Sequence, residues 1–469
     1  MIRFENVSYQ YPFQTQKALD SVSFAISEGE AVLFTGVSGS GKSTLIRLIN
    51  GLAPHYYHGQ VSGQVLVNGH DNATRDINRI ADDVGTLFQD AEQQFFALSV
   101  EDELAFAHEC RGVGPDKIKK TIEEVVDRFF LERVVDSAIF DLSEGEKQKV
   151  ALASIVSLKP GIIILDEPSA NLDPEATAEL ATTLDKLKEQ GITIVVVDHR
   201  LYWLSGLIDS VFVLQGGRIV ESGDFSILEN DTKRVNHGLR KTQIRDSRKD
   251  LPHVREADTT AIEIADLTFA YRNKRLLFDH AYITLPVGEV VAIVGENGAG
   301  KTTFARLLTG LTRMHSGDIR MNGAVLKPRA LLKKGSIVLQ NTDHQLHMKT
   351  VRAELEIAAK GLPESERNRR VREIMQHFNL DELALRHPQS LSAGQKQRLV
   401  IACGMIKNPD VLILDEPTSG LDGLNMKIIS DKLKQLAGLG VCVLVITHDL
   451  ELIEEACGYQ LRLPLNMEI

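Results

Sequence analysis

Six uninterrupted apolar runs of strand length punctuate the chain: "EAVLFTG" from Glu30, "GIIILDEP" from Gly161 and "ITIVVVDH" from Ile192, then "EVVAIVG" from Glu289, "DVLILDEP" from Asp410 and "VCVLVITH" from Val441. Each is short for a helix and lacks the apolar/polar alternation of a half-exposed strand. Each therefore predicts a strand buried on both faces of a mostly parallel sheet. Between them lie amphipathic stretches such as "TLIRLIN" from Thr44, which predict the helices that cover such a sheet. No apolar run approaches the roughly 18 residues needed to span a bilayer. The start, "MIRFENVSYQ", lacks the basic and apolar regions of a signal peptide, so the chain is expected to stay in the cytosol.

The pattern occurs twice. "VSYQY" ending at Tyr11 matches "LTFAY" ending at Tyr271, and "GVSGSGKST" from Gly36 matches "GENGAGKTT" from Gly295, 259 residues later. Gln89, Gln94 and Glu103 align with Gln340, Gln345 and Glu354, and Ser143, Glu167 and His199 align with Ser392, Glu416 and His448 at a constant spacing of 249. The fall from 259 to 249 means about ten extra residues in the early loops of the first copy, one of which holds "PHYYHGQ" from Pro54. A period near 250 is too long for a solenoid. It predicts two tandem α/β domains, 1–229 and 261–469. The segment between them, 230–260, is charged and nearly free of large apolar side chains, and is expected to be a linker running over the surface.

Composition narrows the class. With 43% hydrophobic and 25% charged residues the chain reads as globular. Cys110, Cys403, Cys442 and Cys457 form no CxxC pair and read as buried thiols rather than a metal or disulfide site. A formal charge of -11 argues against a nucleic-acid partner, which calls for a basic surface.

Gly36 to Ser43 fits G-x-x-x-x-G-K-[ST], directly after a predicted strand and before a helix start, which is the context the motif requires. Gly36, Gly39 and Gly41 let consecutive backbone N–H groups curl around phosphate oxygens, and the helix N-terminus adds its positive dipole end. Lys42 is placed for the β/γ-phosphates and Ser43 for Mg²⁺. Gly295, Gly298, Gly300, Lys301 and Thr302 repeat the match, and Ser38, Thr44, Asn297 and Thr303 are counted with these loops as nucleotide-binding candidates. Both copies read as sites for a nucleotide with Mg²⁺. Downstream, Asp166 and Asp415 suit coordination of Mg²⁺, usually through water, while Glu167 and Glu416 suit polarising an attacking water. An acidic pair at a strand end says little alone; the P-loop 120 to 130 residues earlier gives it meaning. His199 and His448 each follow the glutamate by 32 residues, a spacing that points to a γ-phosphate contact.

These residues resemble, across nearly the whole chain, the nucleotide-binding domains of ABC (ATP-binding cassette) proteins. "LSEGE" at 142–146 and "LSAGQ" at 391–395 resemble the family's signature loop, "SANLD" and "SGLD" its D-loops, Gln89 and Gln340 its Q-loops, and His199 and His448 its switch histidines. Tyr11 and Tyr271 match the aromatic that stacks on adenine. The resemblance implies, in each half, a P-loop sheet flanked by helices, an antiparallel β subdomain and a helical subdomain. It further implies ATP with Mg²⁺ as cofactors, Gln89 and Gln340 among the metal ligands and catalytic residues, and two domains closing face to face so that one chain carries its own dimer. In that arrangement Ser392, Gly394 and Gln395 complete the site on the first P-loop, and Ser143 and Gly145 the site on the second. Glu144 is expected to face solvent. Glu146 stands where the second copy has Gln395 and puts a carboxylate near a polyanion, which is expected to weaken closure unless Lys147 or Lys149 compensates. The site on the first P-loop is thus expected to be the stronger.

The stretch "QDAEQQFFALSVEDELAF" from Gln89 resembles the segment of energy-coupling-factor (ECF) importers in which Q-x4-Q, a hydrophobic pair and T/S-V-x-x-E form a groove for the coupling helices of a membrane protein. "DHRL" at 198–201 resembles the ECF switch region; the second half has "THDL" and matches more loosely. Glu101, Asp102, Glu103 and Glu354 would suit the arginines of those helices. The resemblance implies an ATPase peripheral on the cytoplasmic side of the cell membrane, driving uptake of a vitamin-like micronutrient or metal ion. Its partners would be a transmembrane coupling protein and a small substrate-binding membrane protein. Two alternatives stand beside it. A sugar importer's twin-cassette ATPase looks degenerate in one cassette, whereas both are intact here. A soluble ribosome-associated twin-cassette protein carries a long basic linker, whereas this linker is about 30 residues in an acidic chain.

Overall fold

In the first half, the apolar runs settle side by side because each can bury both faces only between neighbours. A computed structural model describes residues 1–257, 262–271, 276–321 and 323–465; the expected boundary at 260/261 and the last four residues of the second domain lie outside them. The strands run in the order Val84–Leu87, Ile162–Asp166, Thr193–Val197, Ala31–Thr35 and Ser210–Gln215, all parallel, with Arg218–Gly223 antiparallel at the edge. Alternate residues of one run feed opposite cores: Ile162 and Ile164 face one cluster with Val32 and Phe34, while Ile163 and Leu165 face another with Ala31 and Leu33. Each such side chain contributes about 1.5–3 kcal/mol on burial, which is why no polar residue interrupts the runs.

An antiparallel sheet of Leu19–Ile26, Ile2–Gln10, Gln60–Val67 and His70–Asp71 packs on one side. Helices Val100–Cys110, Pro115–Phe129 and Glu144–Ser157 form the helical part. The second half repeats the plan. Gly335–Val338, Val411–Asp415, Cys442–Ile446, Val290–Val294 and Cys457–Arg462 make a parallel sheet. Leu276–Leu285, Ile262–Ala270, Ser316–Met321 and Ala324–Val325 make the antiparallel one. The expected architecture of a mostly parallel sheet with antiparallel and helical parts is present in both halves.

The chain divides into two compact units, Met1–Gln243 with Asp422–Leu424, and Ile244–Leu421 with the residues after Leu424. Within 230–257, the described part of the expected linker, several side chains leave the surface. Asp231–Asn236 is helical, Leu239 and Arg240 are buried, and Val254 is buried. Farther along, the Pro252 carbonyl accepts from the Gln460 N–H at 2.9 Å. Its charged composition hid a few anchoring side chains. Among the described residues no helix is long and apolar enough to cross a membrane.

Candidate functional site

Each P-loop sits where a sheet strand hands over to a helix. Strand Ala31–Thr35 delivers Gly36, and helix Lys42–Ile49 starts behind Gly41 at φ 110°. Gly36 has φ 148°, and a Cβ there would lie 2.2 Å from the Leu214 carbonyl oxygen. Gly295 has φ 151° and the same conflict with Leu463 at 2.1 Å. Only glycine leaves that turn open. In both loops the lysine curls back into the cradle: Lys42 Nζ donates to the carbonyls of Gly36 (2.8 Å) and Val37 (3.1 Å), and Lys301 Nζ to those of Gly295 (2.7 Å) and Glu296 (3.0 Å). Burial lowers the Lys42 pKa, opposed first by Glu167. The mouth stays clear at Gly39 and Gly298, where a Cβ would meet nothing within 4 Å.

Beside the second loop a cavity of about 660 Å³ is lined by Tyr271, Leu277, Asn297, Gly298 and Gly300 to Thr303. A cradle of backbone N–H groups with a cation inside and an aromatic at its edge fits a nucleotide triphosphate. Ser43 and Thr302 lie in the first helical turn, and Thr302 Oγ1 donates to Asp415 Oδ2 at 3.1 Å. That pair stands where a magnesium ion with the nucleotide would be held. Thr44 and Thr303 each meet the candidate base-stacking tyrosine, with hydroxyls 3.1 Å apart at Tyr11 and at Tyr271.

The acidic pairs end the strands as expected. Glu167 and Glu416 adopt left-handed φ of 49° and 46°, with their N–H groups bound to Val197 and Ile446 carbonyls at 2.7 and 2.8 Å. That turn brings Glu167 to Gln89, whose Nε2 donates to Oε2 at 2.9 Å, and to His199, whose Nε2 lies 3.5 Å from Oε1. Glu416 accepts from the end of the neighbouring strand. Thr447 Oγ1 donates to Oε2 at 2.9 Å and the His448 N–H to Oε1 at 2.9 Å.

The residues flanking the histidines were not singled out as site residues by sequence, although they stand one place either side of it in both copies. Asp198 is buried where the second copy has Thr447, and accepts from the N–H groups of Arg200 (2.9 Å) and Ser169 (3.3 Å). Arg200 Nη1 donates to the carbonyls of Ser169 (2.9 Å) and Leu172 (3.1 Å), clamping the D-loop. In the second copy Thr418 Oγ1 donates to Asp449 Oδ2 at 2.5 Å instead.

Charge crowding follows. Burial pushes Glu167 up to about 8, with Asp166 and Asp198 adding to it. Burial pushes Asp166 up to about 6, against Lys42, and drives His199 well below its ordinary value. Asp415 is also raised by burial, against the Thr302 hydroxyl. A carboxyl that holds its proton more tightly folded than unfolded makes stability fall as pH rises, here from 4.5 to about 8 for Glu167. Glu167→Gln is neutral throughout, so the nucleotide-free variant should melt above wild type at about pH 8.5, with the gap closing towards about pH 5. Scanning calorimetry of both proteins at the two pH values checks this; a gap independent of pH contradicts it.

The family described as ABC transporter matches residues 19–170 and 278–419. The chain belongs to it. A Treponema denticola ABC transporter ATP-binding protein is 36% identical over 98% of this chain and 94% of its own length, and one from Methanosarcina mazei is 33% identical over 97% and 86%. A structure described as ribosome-bound archaeal Pelota and ABCE1 shares the fold, with TM-score 0.69 at 22% identity over 97% of this chain and 76% of that one. The protein is a tandem ABC ATPase, hydrolysing ATP with Mg²⁺.

The signature loops of this ABC ATPase both start helices. Ser143 caps Glu144–Ser157, with its N–H and Oγ donating to Glu146 Oε2 at 2.8 and 2.6 Å. Ser392 caps Ala393–Met405, with its N–H donating to Gln395 Oε1 at 3.1 Å. Gly145 and Gly394 lie in the first turn of each. Neither lysine that could have compensated Glu146 pairs with it: Lys147 pairs with Glu92 and Glu144, and Lys149 with Glu179. Glu146 instead accepts hydrogen bonds from the Ser143 N–H and hydroxyl in a capping box. Glu144, expected to face solvent, is half-exposed and tied to Lys147.

Behind the Q-loops, two of the acidic residues expected to face a partner turn inward. Glu103 is buried and accepts from the N–H groups of Phe96 and Ala97, both at 2.9 Å; Glu354 is buried and accepts from that of Met348 at 2.5 Å. They hold the loop from below because its turn leaves those donors without a ladder partner. Gln94 and Gln345 staple the same loops, accepting from the N–H groups of Phe88 (3.2 Å) and Leu339 (3.1 Å). Glu101 and Asp102 remain exposed.

Proposed function

We propose that this ABC ATPase energises an ECF-type importer, driving uptake of a vitamin-like micronutrient or metal ion through separate membrane subunits, from the cytoplasmic face. The observation that carries the reading is the apolar surface behind the first Q-loop. Phe96 and Leu98 are 76% and 78% exposed, Phe96 stacks on Phe106 with centroids 4.9 Å apart, and Glu101 and Asp102 flank them. Large exposed side chains that touch one another beside a charged rim mark a protein contact, and the acids suit arginines on an inserted helix. The corresponding residues of the second cassette, exposed His347 and Lys349, form a polar surface instead, which suits a single asymmetric coupling protein.

In this reading the domains are 1–229 and 261–469 with 230–260 between them. The P-loop N–H groups with Lys42 and Lys301 hold the β/γ-phosphates, and Tyr11 and Tyr271 support the base. Ser43, Gln89 and Asp166 at one site, and Thr302, Gln340 and Asp415 at the other, would hold Mg²⁺, which would supply charge to offset that on the transferring phosphoryl group. Glu416 takes the proton of the attacking water, Glu167 stands in the corresponding place as the weaker base, His199 and His448 contact the γ-phosphate, and Ser143, Gly145, Ser392 and Gly394 offer it a hydroxyl and N–H groups.

The double variant Phe96→Glu/Leu98→Glu puts two charges on the apolar patch and leaves the nucleotide residues untouched. We expect it to retain basal ATPase within about twofold while losing about tenfold or more of the membrane protein that co-purifies with wild type. Unchanged co-purification contradicts the assignment of this surface.

A further inference from the structure

The extra loop of the first cassette reaches the base-stacking tyrosine. Tyr57, within "PHYYHGQ", has no counterpart in the shorter second copy. Its carbonyl accepts the Tyr9 hydroxyl, and its own N–H donates to Leu52 at 2.8 Å. His55 and Asn72 fix the base of the loop: His55 Nε2 pairs with the Asn72 carbonyl at 2.8 Å, and Asn72 Nδ2 donates to Ile49 at 2.6 Å. The Tyr57 ring thus stands in a set place. The Arg47 guanidinium lies 4.2 Å over it, and Arg47 Nη1 donates to the Tyr11 hydroxyl at 2.7 Å. The Tyr57 and Tyr11 rings meet edge to face with centroids 6.3 Å apart.

We infer that Tyr57 and Arg47 brace Tyr11 as the base platform of the first cassette, making them positioning residues that tighten ATP at that P-loop through its base. Tyr11 loses two side-chain torsions on stacking against a base; a platform already fixed by a hydroxyl bond and an edge contact loses less, and the difference appears as affinity. A guanidinium over a half-buried ring is among the stronger cation–π geometries. At the second cassette Tyr271 keeps its hydroxyl bond to Thr303 and an edge contact with Phe269 at 5.1 Å, and among the described residues no guanidinium lies over its ring. The brace therefore predicts that the two nucleotide sites differ in base-dependent affinity, the first being the tighter.

The inference rests on Tyr11 acting as the platform, and the test separates the two. Binding of Mg-ATP and of Mg-tripolyphosphate, which has no base, is measured on the full chain carrying Lys301→Ala so that the first P-loop reports. Tyr11→Ala should weaken ATP alone. Tyr57→Ala and Arg47→Gln should each raise the ATP Kd about 5- to 10-fold and leave tripolyphosphate unchanged, while Tyr57→Phe, which keeps the ring, should bind as the parent does. If Tyr11→Ala shows the split and neither Tyr57→Ala nor Arg47→Gln does, the brace is wrong. If Tyr11→Ala shows no split, the platform reading is wrong and the brace with it. Equal weakening of ATP and tripolyphosphate by Tyr57→Ala would place the loop in the folding of the P-loop and overturn the inference; should that variant not fold, Arg47→Gln decides.

Discussion

Glu416→Gln should lower steady-state ATPase about 100-fold or more, the scale of a lost general base, whereas Glu167→Gln should cost less than about tenfold. The two carboxylates end homologous strands with the same left-handed turn, so the difference lies in their neighbours. Glu416 accepts a hydroxyl from Thr447 and an N–H from His448, both of which favour and aim an ionised carboxylate. Glu167 faces buried Asp198 and Asp166 and is pushed up to about 8. In the nucleotide-free protein burial beside these two carboxyls favours its protonated form. The sequence pointed to the first P-loop as the stronger site because of Glu146. The carboxylate surroundings give the chemical step to Glu416, while the braced Tyr11 leaves the first P-loop the tighter binder. Equal residual rates in the two variants contradict this division.

The second large effect concerns the turn into each P-loop. Gly36→Ala and Gly295→Ala should each abolish Mg-ATP binding at the altered loop, a loss of about 100-fold or more, because the methyl meets a backbone oxygen that has nowhere to go. The approach would be 2.2 Å at Leu214 and 2.1 Å at Leu463, at φ of 148° and 151°. Gly39→Ala and Gly298→Ala are the controls. Both sit at φ 79° with open space around the new Cβ, so they carry only the left-handed cost of about 1–2 kcal/mol. Isothermal titration of all four variants distinguishes steric closure from a general intolerance of the loop; similar losses at all four contradict the geometric account.

The strands, the duplicated P-loops and the acidic pairs were legible because each depends on a local pattern. Ile162 to Leu165 must all be apolar to feed two cores, and Gly36 must be glycine to pass Leu214. What escaped was pairing between distant segments. Nothing local told that Glu103 turns inward to the Phe96 and Ala97 N–H groups, since an acid at a helix start reads equally well as solvated. Glu146 read as a carboxylate beside a polyanion until its place at the third position of a capped helix showed which donors it meets. Asp198 and Arg200 were visible only as a family-like tetrapeptide; their clamp on Ser169 and Leu172 needs the three-dimensional return of the chain.

The proposed work of this tandem ABC ATPase on a membrane coupling partner has a direct assay. It is tested most directly by tagging the chain in its native cells, solubilising membranes in mild detergent and identifying by mass spectrometry what co-purifies. The expected result is one polytopic coupling protein together with a small membrane protein that retains a micronutrient or metal ion. Recovery of ribosomes, or of a sugar permease, with no such pair would contradict it.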